Sequence, residues 1–303
     1  MTTTPSPSGA AADPGPAPSR WGVGRAVLGN RPAVAALAVL AVLAVLAVAG
    51  EAVAPDGPNE LSTERLAPPS LDHPFGTDDL GRDVLSRVVL GAEVSLEVGV
   101  VAVGIAAAGG VVVGLLAGYF RGWADDVLMR LMDVLFAFPA ILLAIAILAV
   151  RGRGSANAMI AIGIVYIPIF ARVTRANVLS VREEVYVLAA RSVGARDLRI
   201  IRRHVLPNVA APVIVQVSVS LAFAILSEAA LSFIGLGTQP PQPSWGRMLA
   251  DGRDLAQEAW WVVLFPGLAI FVTVLSFNVL GDALRDALDP RQRSAVEAAS
   301  AAR

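Results

Sequence analysis

Arg182 to Asn208 reads REEVYVLAARSVGARDLRIIRRHVLPN, a polar island between long apolar runs. Glu183 and Glu184 fall in the first turn of a candidate helix, where carboxylates complement exposed amides and the positive end of the dipole. Gly194 stands where a left-handed C-cap would stop it, so the pattern predicts a helix over about Glu183 to Val193. Asp197 can cap a second helix, Leu198 to Val205, and Pro207 predicts an end near Leu206, because proline disfavours helical geometry in the residue before it. Two short helices then meet at a glycine elbow. Val185, Leu188 and Ala189 on the first, with Leu198, Ile201 and Val205 on the second, are expected to form one apolar docking surface.

Outward from this island the chain is dominated by apolar runs. Of 303 residues 55% are hydrophobic and the mean hydropathy is +0.65, in blocks and not in amphipathic stripes, so the chain is a membrane protein. The formal charge of -1 gives no indication of a nucleic-acid partner, because the charges are segregated into loops and only their distribution informs. Cys is absent, which excludes disulfides and a Cys nucleophile, and with only His73 and His204 no His-rich metal site can form. Residues 1 to 19 are Thr, Pro, Ser, Ala and Gly with one Asp, and residues 1 to 31 are expected to be a disordered cytoplasmic N-terminus.

Six spans are expected. The first, within 32–54, is an Ala-Val-Leu run preceded by Arg20, Arg25 and Arg31, longer than a signal-peptide core and expected to be retained. After an external loop over 55–92 come Leu96 to Phe120, Val127 to Val150 with a kink at Pro139 and an Arg130–Asp133 pair, and Ala156 to Val173. Val209 to Leu236 and Trp260 to Leu280 complete a core over 93–281, with the polar loop 174–208 inside it and a cytoplasmic tail over 282–303. With the N-terminus inside, Arg divides 17 inside to 7 outside, and the loop lies inside with both termini. Gly110, Gly114 and Gly118 recur every fourth position and mark a packing seam, within the core or with a partner. Glu228 lies well inside the fifth span, where a charge must face protein or water. It can line a substrate path, or make a structural hydrogen bond to Ser227, Ser232 or a neighbouring helix. Asp78, Asp79 and Asp83 surround Arg82 and read as a capped amphipathic helix at the outer surface, not a metal site, since the spacing is not that of an EF-hand loop.

Within the polar island, Ala189, Ala190, Gly194, Leu206 and Pro207 are spaced as in the cytoplasmic loop of the membrane subunits of bacterial ABC importers, with Leu188 in place of that pattern's Glu and His204 in place of its Ile. The chain resembles that family. The segments HPFGTDDLGRD from His73, LSFIGLGTQPPQPSWG from Leu231 and GDALRDALDPR from Gly281 narrow the likeness to the second permease subunit of dipeptide, oligopeptide and nickel importers. The resemblance implies an all-α membrane protein of six transmembrane helices with the type I ABC importer permease fold, in the cytoplasmic membrane of a bacterium. It also implies that Glu184, Leu188, Ala189, Ala190, Arg191, Gly194, Asp197, His204, Leu206 and Pro207 make the contact that couples transport to ATP hydrolysis. The implied partners are a homologous permease, two ATP-binding subunits carrying ATP and Mg, an extracytoplasmic substrate-binding protein and membrane lipid.

No catalytic constellation is visible. A phosphate-cradling loop needs G-x-x-x-x-G-K-[ST], and this chain has no Lys, so ATP hydrolysis must come from another polypeptide. A secondary transporter or channel remains the alternative to an importer permease, and an intramembrane enzyme the third class. The first should show paired interrupted helices in repeated halves, and neither that nor matched catalytic groups is visible.

Overall fold

The computed structural model describes residues 20–288, so the expectations for residues 1–19 and for the tail beyond 288 lie outside them. Among the described residues the chain is helical, with no strand beyond one bridge between Thr77 and Asp83. A short helix α1 (Arg20–Gly29) precedes α2 (Arg31–Val53), so part of the stretch expected to be disordered is helical. Asn30 caps α2, its side chain accepting from the Ala33 amide, and Pro32 occupies the first turn where its missing N–H is no loss. Most of α2 is uncovered by protein, as expected of a helix whose Ala-Val-Leu surface meets lipid.

Helix α3 (Val84–Phe120) starts well before the expected Leu96, because Asp83 is its N-cap and accepts from the Ser86 amide at 2.7 Å. The aspartate cluster is therefore no separate surface helix. At 1.5 Å per residue the 37 residues of α3 span about 55 Å, well beyond the hydrocarbon thickness. Its partner is α6 (Ser155–Val181), and the seam runs along Gly110, Gly114 and Gly118, within this chain. A methyl group at position 114 would lie 2.5 Å from the Ala171 carbonyl oxygen, and one at 118 would lie 2.8 Å from Val178 Cβ. Only hydrogen at these positions allows the two backbones so close.

The third expected span is two helices, α4 (Gly122–Phe136) and α5 (Ala140–Arg151), at 91° to each other across the Pro139 break. The proline does more than kink it. Asp133 pairs with Arg172 on α6 at 2.8 Å, not with Arg130, and the two oxygens of Asp125 accept from Nε and Nη2 of Arg175, so α4 is tied sideways to α6. After the loop elements α7 (Val185–Ser192) and α8 (Asp197–Ile200) come α9 (Leu206–Phe233), α10 (Trp245–Gly252) and α11 (Trp261–Leu288). Among the described residues five helices are long and apolar enough to cross a membrane, and there are six if the bent α4–α5 pair counts as one span. Val98, Val103, Leu148, Ile162, Phe170 and Leu231 form the main core between α3, α5, α6 and α9. The final helix runs to Leu288, so 282–288 are helix and not tail.

At the Asp83 end of α3, residues 55–83 fold into a cap fixed to the bundle. Trp261 Nε1 donates to the Thr77 carbonyl at 3.0 Å and Phe75 stacks on Phe265 at 3.8 Å, while beside the cap Trp245 of α10 donates to the Val88 carbonyl of α3 at 2.9 Å. The far end of α3, at Tyr119, is where the polar loop attaches.

Candidate functional site

Helix α7 begins at Val185 with Glu184 as N-cap residue, whose carbonyl accepts from Val187 and Leu188. It ends in a Schellman arrangement. The Ala195 amide reaches back to the Ala190 carbonyl, the Gly194 amide to Arg191, and Gly194 has φ +78°. Nothing lies within 4 Å of where a side chain at 194 would begin, so glycine is demanded by the backbone and not by crowding.

The second arm differs from the sequence reading. Asp197 begins α8, but its carboxylate caps no amide; it accepts from the Tyr119 hydroxyl at 2.6 Å. Nor does the arm stop near Leu206. Ile201–Val205 form one π-helical turn, in which the Leu206 amide bonds to the Ile201 carbonyl, and the chain runs on into α9 as a single 37-residue run, Asp197–Phe233. Pro207 has no N–H and its ring crowds the carbonyl four residues back; the wider π turn relieves both, so the helix continues where a proline at normal pitch would break it.

The apolar faces also divide otherwise than expected. Val187, Ile200, Ile201, Val205 and Val209 are buried together with Leu115, Tyr119 and Val178, sewing the loop to α3 and α6. Val185, Leu188, Ala189, Val193 and Leu198 are exposed, with Val185 at 79% and Val193 at 84%. The outward ridge is therefore α7 plus Leu198, and Ile201 and Val205 are not part of it. Ala190 is half-buried against the inner cluster, Arg191 projects, His204 lies 6.2 Å from the Tyr186 ring, and Leu206 and Pro207 are exposed at the base of α9. Around the second arm Arg196, Arg199, Arg202 and Arg203 line an open cleft with Leu198.

Several contacts fix this loop to the bundle, and none was legible in its spacing. Besides the Tyr119–Asp197 bond, the Arg191 guanidinium sits 5.4 Å over the Tyr119 ring. Arg182 donates to the Tyr119 carbonyl at 2.7 Å and to the Gly118 carbonyl at 3.3 Å, satisfying the last carbonyls of α3. Arg182 and Arg121 both approach Glu183, at 3.3 and 3.5 Å.

Glu228 is buried to 1% exposure, and its carboxylate accepts from Ser232 Oγ at 2.6 Å and Thr238 Oγ1 at 3.3 Å. Ser232 Oγ in turn accepts from the Thr238 amide, so the acid makes a bond to Ser232 and ties the turn that follows α9. Ser227 does not meet Glu228; its hydroxyl lies 2.9 Å from Tyr166 in a cleft between α5, α6 and α9. On the cap, Asp78 pairs with Arg82 at 2.6 Å. His73, Asp56 and Asp83 bring ligand-type atoms within 4.8 Å of one another, a grouping the sequence spacing hid. Both Asp83 oxygens already accept hydrogen bonds, one facing His73 Nδ1 and the other Ser86, which accounts for the cluster as a brace for the cap.

This arrangement, long apolar helices around a glycine seam with a basic loop projecting at one end, is that of a multi-pass membrane protein. The profile of the binding-protein-dependent transport system inner membrane component matches residues 110–294, and the chain belongs to that family. It is 52% identical over 77% of its length to the dipeptide transport system permease protein DppC of Alkalihalophilus pseudofirmus, covering 76% of that protein. It is 48% identical over 79% of its length to the glutathione transport system permease protein GsiD of Pectobacterium atrosepticum, covering 80% of that protein. Among solved structures, the inward-facing MetNI methionine ABC transporter superposes with a TM-score of 0.54 at 18% identity, over 66% of this chain and 96% of that one, which shows the shared fold. The chain is thus the inner-membrane permease component of an ABC importer, a transport subunit and not an ATPase, which works with ATPase and substrate-binding subunits.

Proposed function

We propose that this chain moves peptides across the cytoplasmic membrane as one of two homologous permease subunits, driven by ATP and Mg on two separate ATP-binding subunits and supplied by an extracytoplasmic binding protein. The observation that carries the coupling role is the exposed apolar ridge of α7, Val185, Leu188, Ala189 and Val193, set beside a glycine elbow and clamped from behind. An isolated soluble surface has no reason to hold such a ridge rigidly outward; a cleft on a partner subunit does. Glu184, Arg191, Asp197 and His204 flank the ridge, Leu206 and Pro207 begin α9 beyond it, and Gly194 sets its angle. The peptide cargo rests on the names of relatives about half identical to this chain. Purifying the whole complex and identifying the ligand of its binding protein by mass spectrometry tests the cargo, with a peptide expected. Ala189→Glu tests the coupling: the side chain at 189 points away from the bundle, so the chain should insert normally while ATPase copurification falls about tenfold or more, an unpaired carboxylate being costly in an apolar cleft.

A further inference from the structure

Tyr119 lies in the last turn of α3 and is 3% exposed, yet it touches both arms of the loop. Its hydroxyl donates to Asp197 in the first turn of α8, its ring lies under Arg191 in the last turn of α7, and its carbonyl accepts from Arg182 ahead of α7. Gly194 lies between Arg191 and Asp197, so the elbow is bridged by one side chain of a different helix. The bridge is directional: a charge-assisted bond of 2.6 Å fixes one arm and a cation over a ring face fixes the other. At its opposite end α3 carries the Asp83 cap and the Val88 carbonyl that receives Trp245, so one unbroken rod joins the loop to the cap about 55 Å away.

We propose that Tyr119 is a positioning residue for energy coupling: it holds the angle between the two arms across Gly194 and transmits displacement of the loop into α3, and so to the cap. This rests on the coupling role given to the loop above. A side chain that merely filled space would need its ring but not its hydroxyl, since Leu115, Val178 and Val205 around it are apolar. The hydroxyl serves polar partners on the two arms, donating to Asp197 and lying against the Arg191 guanidinium.

The test uses the complete transporter, with its partner permease, ATPases and binding protein, in proteoliposomes, reading peptide moved per ATP hydrolysed beside ATPase copurification. Tyr119→Phe keeps the ring and the packing and removes the bond. The expected result is copurification close to wild type and a transport-to-ATP ratio lowered about tenfold, the scale of losing a hydrogen bond to a charged group. Asp197→Ala, which leaves no acceptor for the hydroxyl, should lower the same ratio, and the double variant should be no worse than Tyr119→Phe alone, because without the hydroxyl the carboxylate has no bond left to lose. A wild-type ratio for Tyr119→Phe, or strictly additive losses in the double variant, overturns the proposal. Gly194→Val run alongside separates the two ideas: if it uncouples while Tyr119→Phe does not, the loop reading stands and Tyr119 is packing alone; if neither changes the ratio, the loop reading itself fails.

Discussion

Gly194 shows how a single backbone conformation can decide a surface. Its φ of +78° closes the Schellman turn, and its side-chain position is open, so Gly194→Val adds no clash. The cost is the left-handed conformation, about 1 to 2 kcal/mol for an ordinary residue and more for a β-branched one, against a structure held by several membrane helices. Membrane insertion should survive and uptake per inserted protein should fall severalfold, checked by uptake in cells normalised to membrane-inserted chain; full uptake would reduce the loop to a charge signal. This residue was legible because a glycine after a helical run followed by a capping type has few other readings. Tyr119 was not, because its partners lie 72 and 78 positions away and no local pattern announces them.

Among the elements, the seam between α3 and α6 carries the clearest structural consequence. Gly114→Leu would drive a side chain into the Ala171 carbonyl and Thr174, so the helices must separate along their length. The expected outcome is a destabilised chain, with the melting temperature of the purified complex lowered by several degrees and less protein in the membrane. Asp83→Ala should cost about 1 kcal/mol through loss of the α3 cap and release of His73, seen as faster proteolysis of the cap with α3 still inserted. The glycine spacing foretold the seam, and hydropathy foretold the spans to within a few turns. What hydropathy missed has physical causes. The start of α3 is set by a cap, not by apolarity, and the chain turns by 91° at the Pro139 break, with Asp125 and Asp133 tying α4 to α6. The π turn lets the helix pass Pro207 where a propensity reading ends it, with Ile200 and Ile201 buried on its inner side.

For the whole molecule the account requires the α7 loop inside, the cap outside, and the energy source elsewhere. The chain has no cysteine, so Leu71→Cys, Ser192→Cys and Gln242→Cys, all at exposed positions, can be labelled without background. An impermeant reagent on intact cells should label positions 71 and 242 and spare 192; the reverse pattern would invert the topology. The purified chain alone should hydrolyse no ATP, since it has no Lys for a phosphate-binding loop. The central claim is that the α7 ridge sits in a cleft of the ATP-hydrolysing subunit, and site-directed crosslinking tests it most directly. A photoreactive maleimide placed on Val193→Cys, the most exposed residue of the ridge, should on illumination of the assembled transporter join this chain to the ATPase subunit in high yield. Transport-competent complexes in which the probe captures only lipid or the other permease would contradict the account.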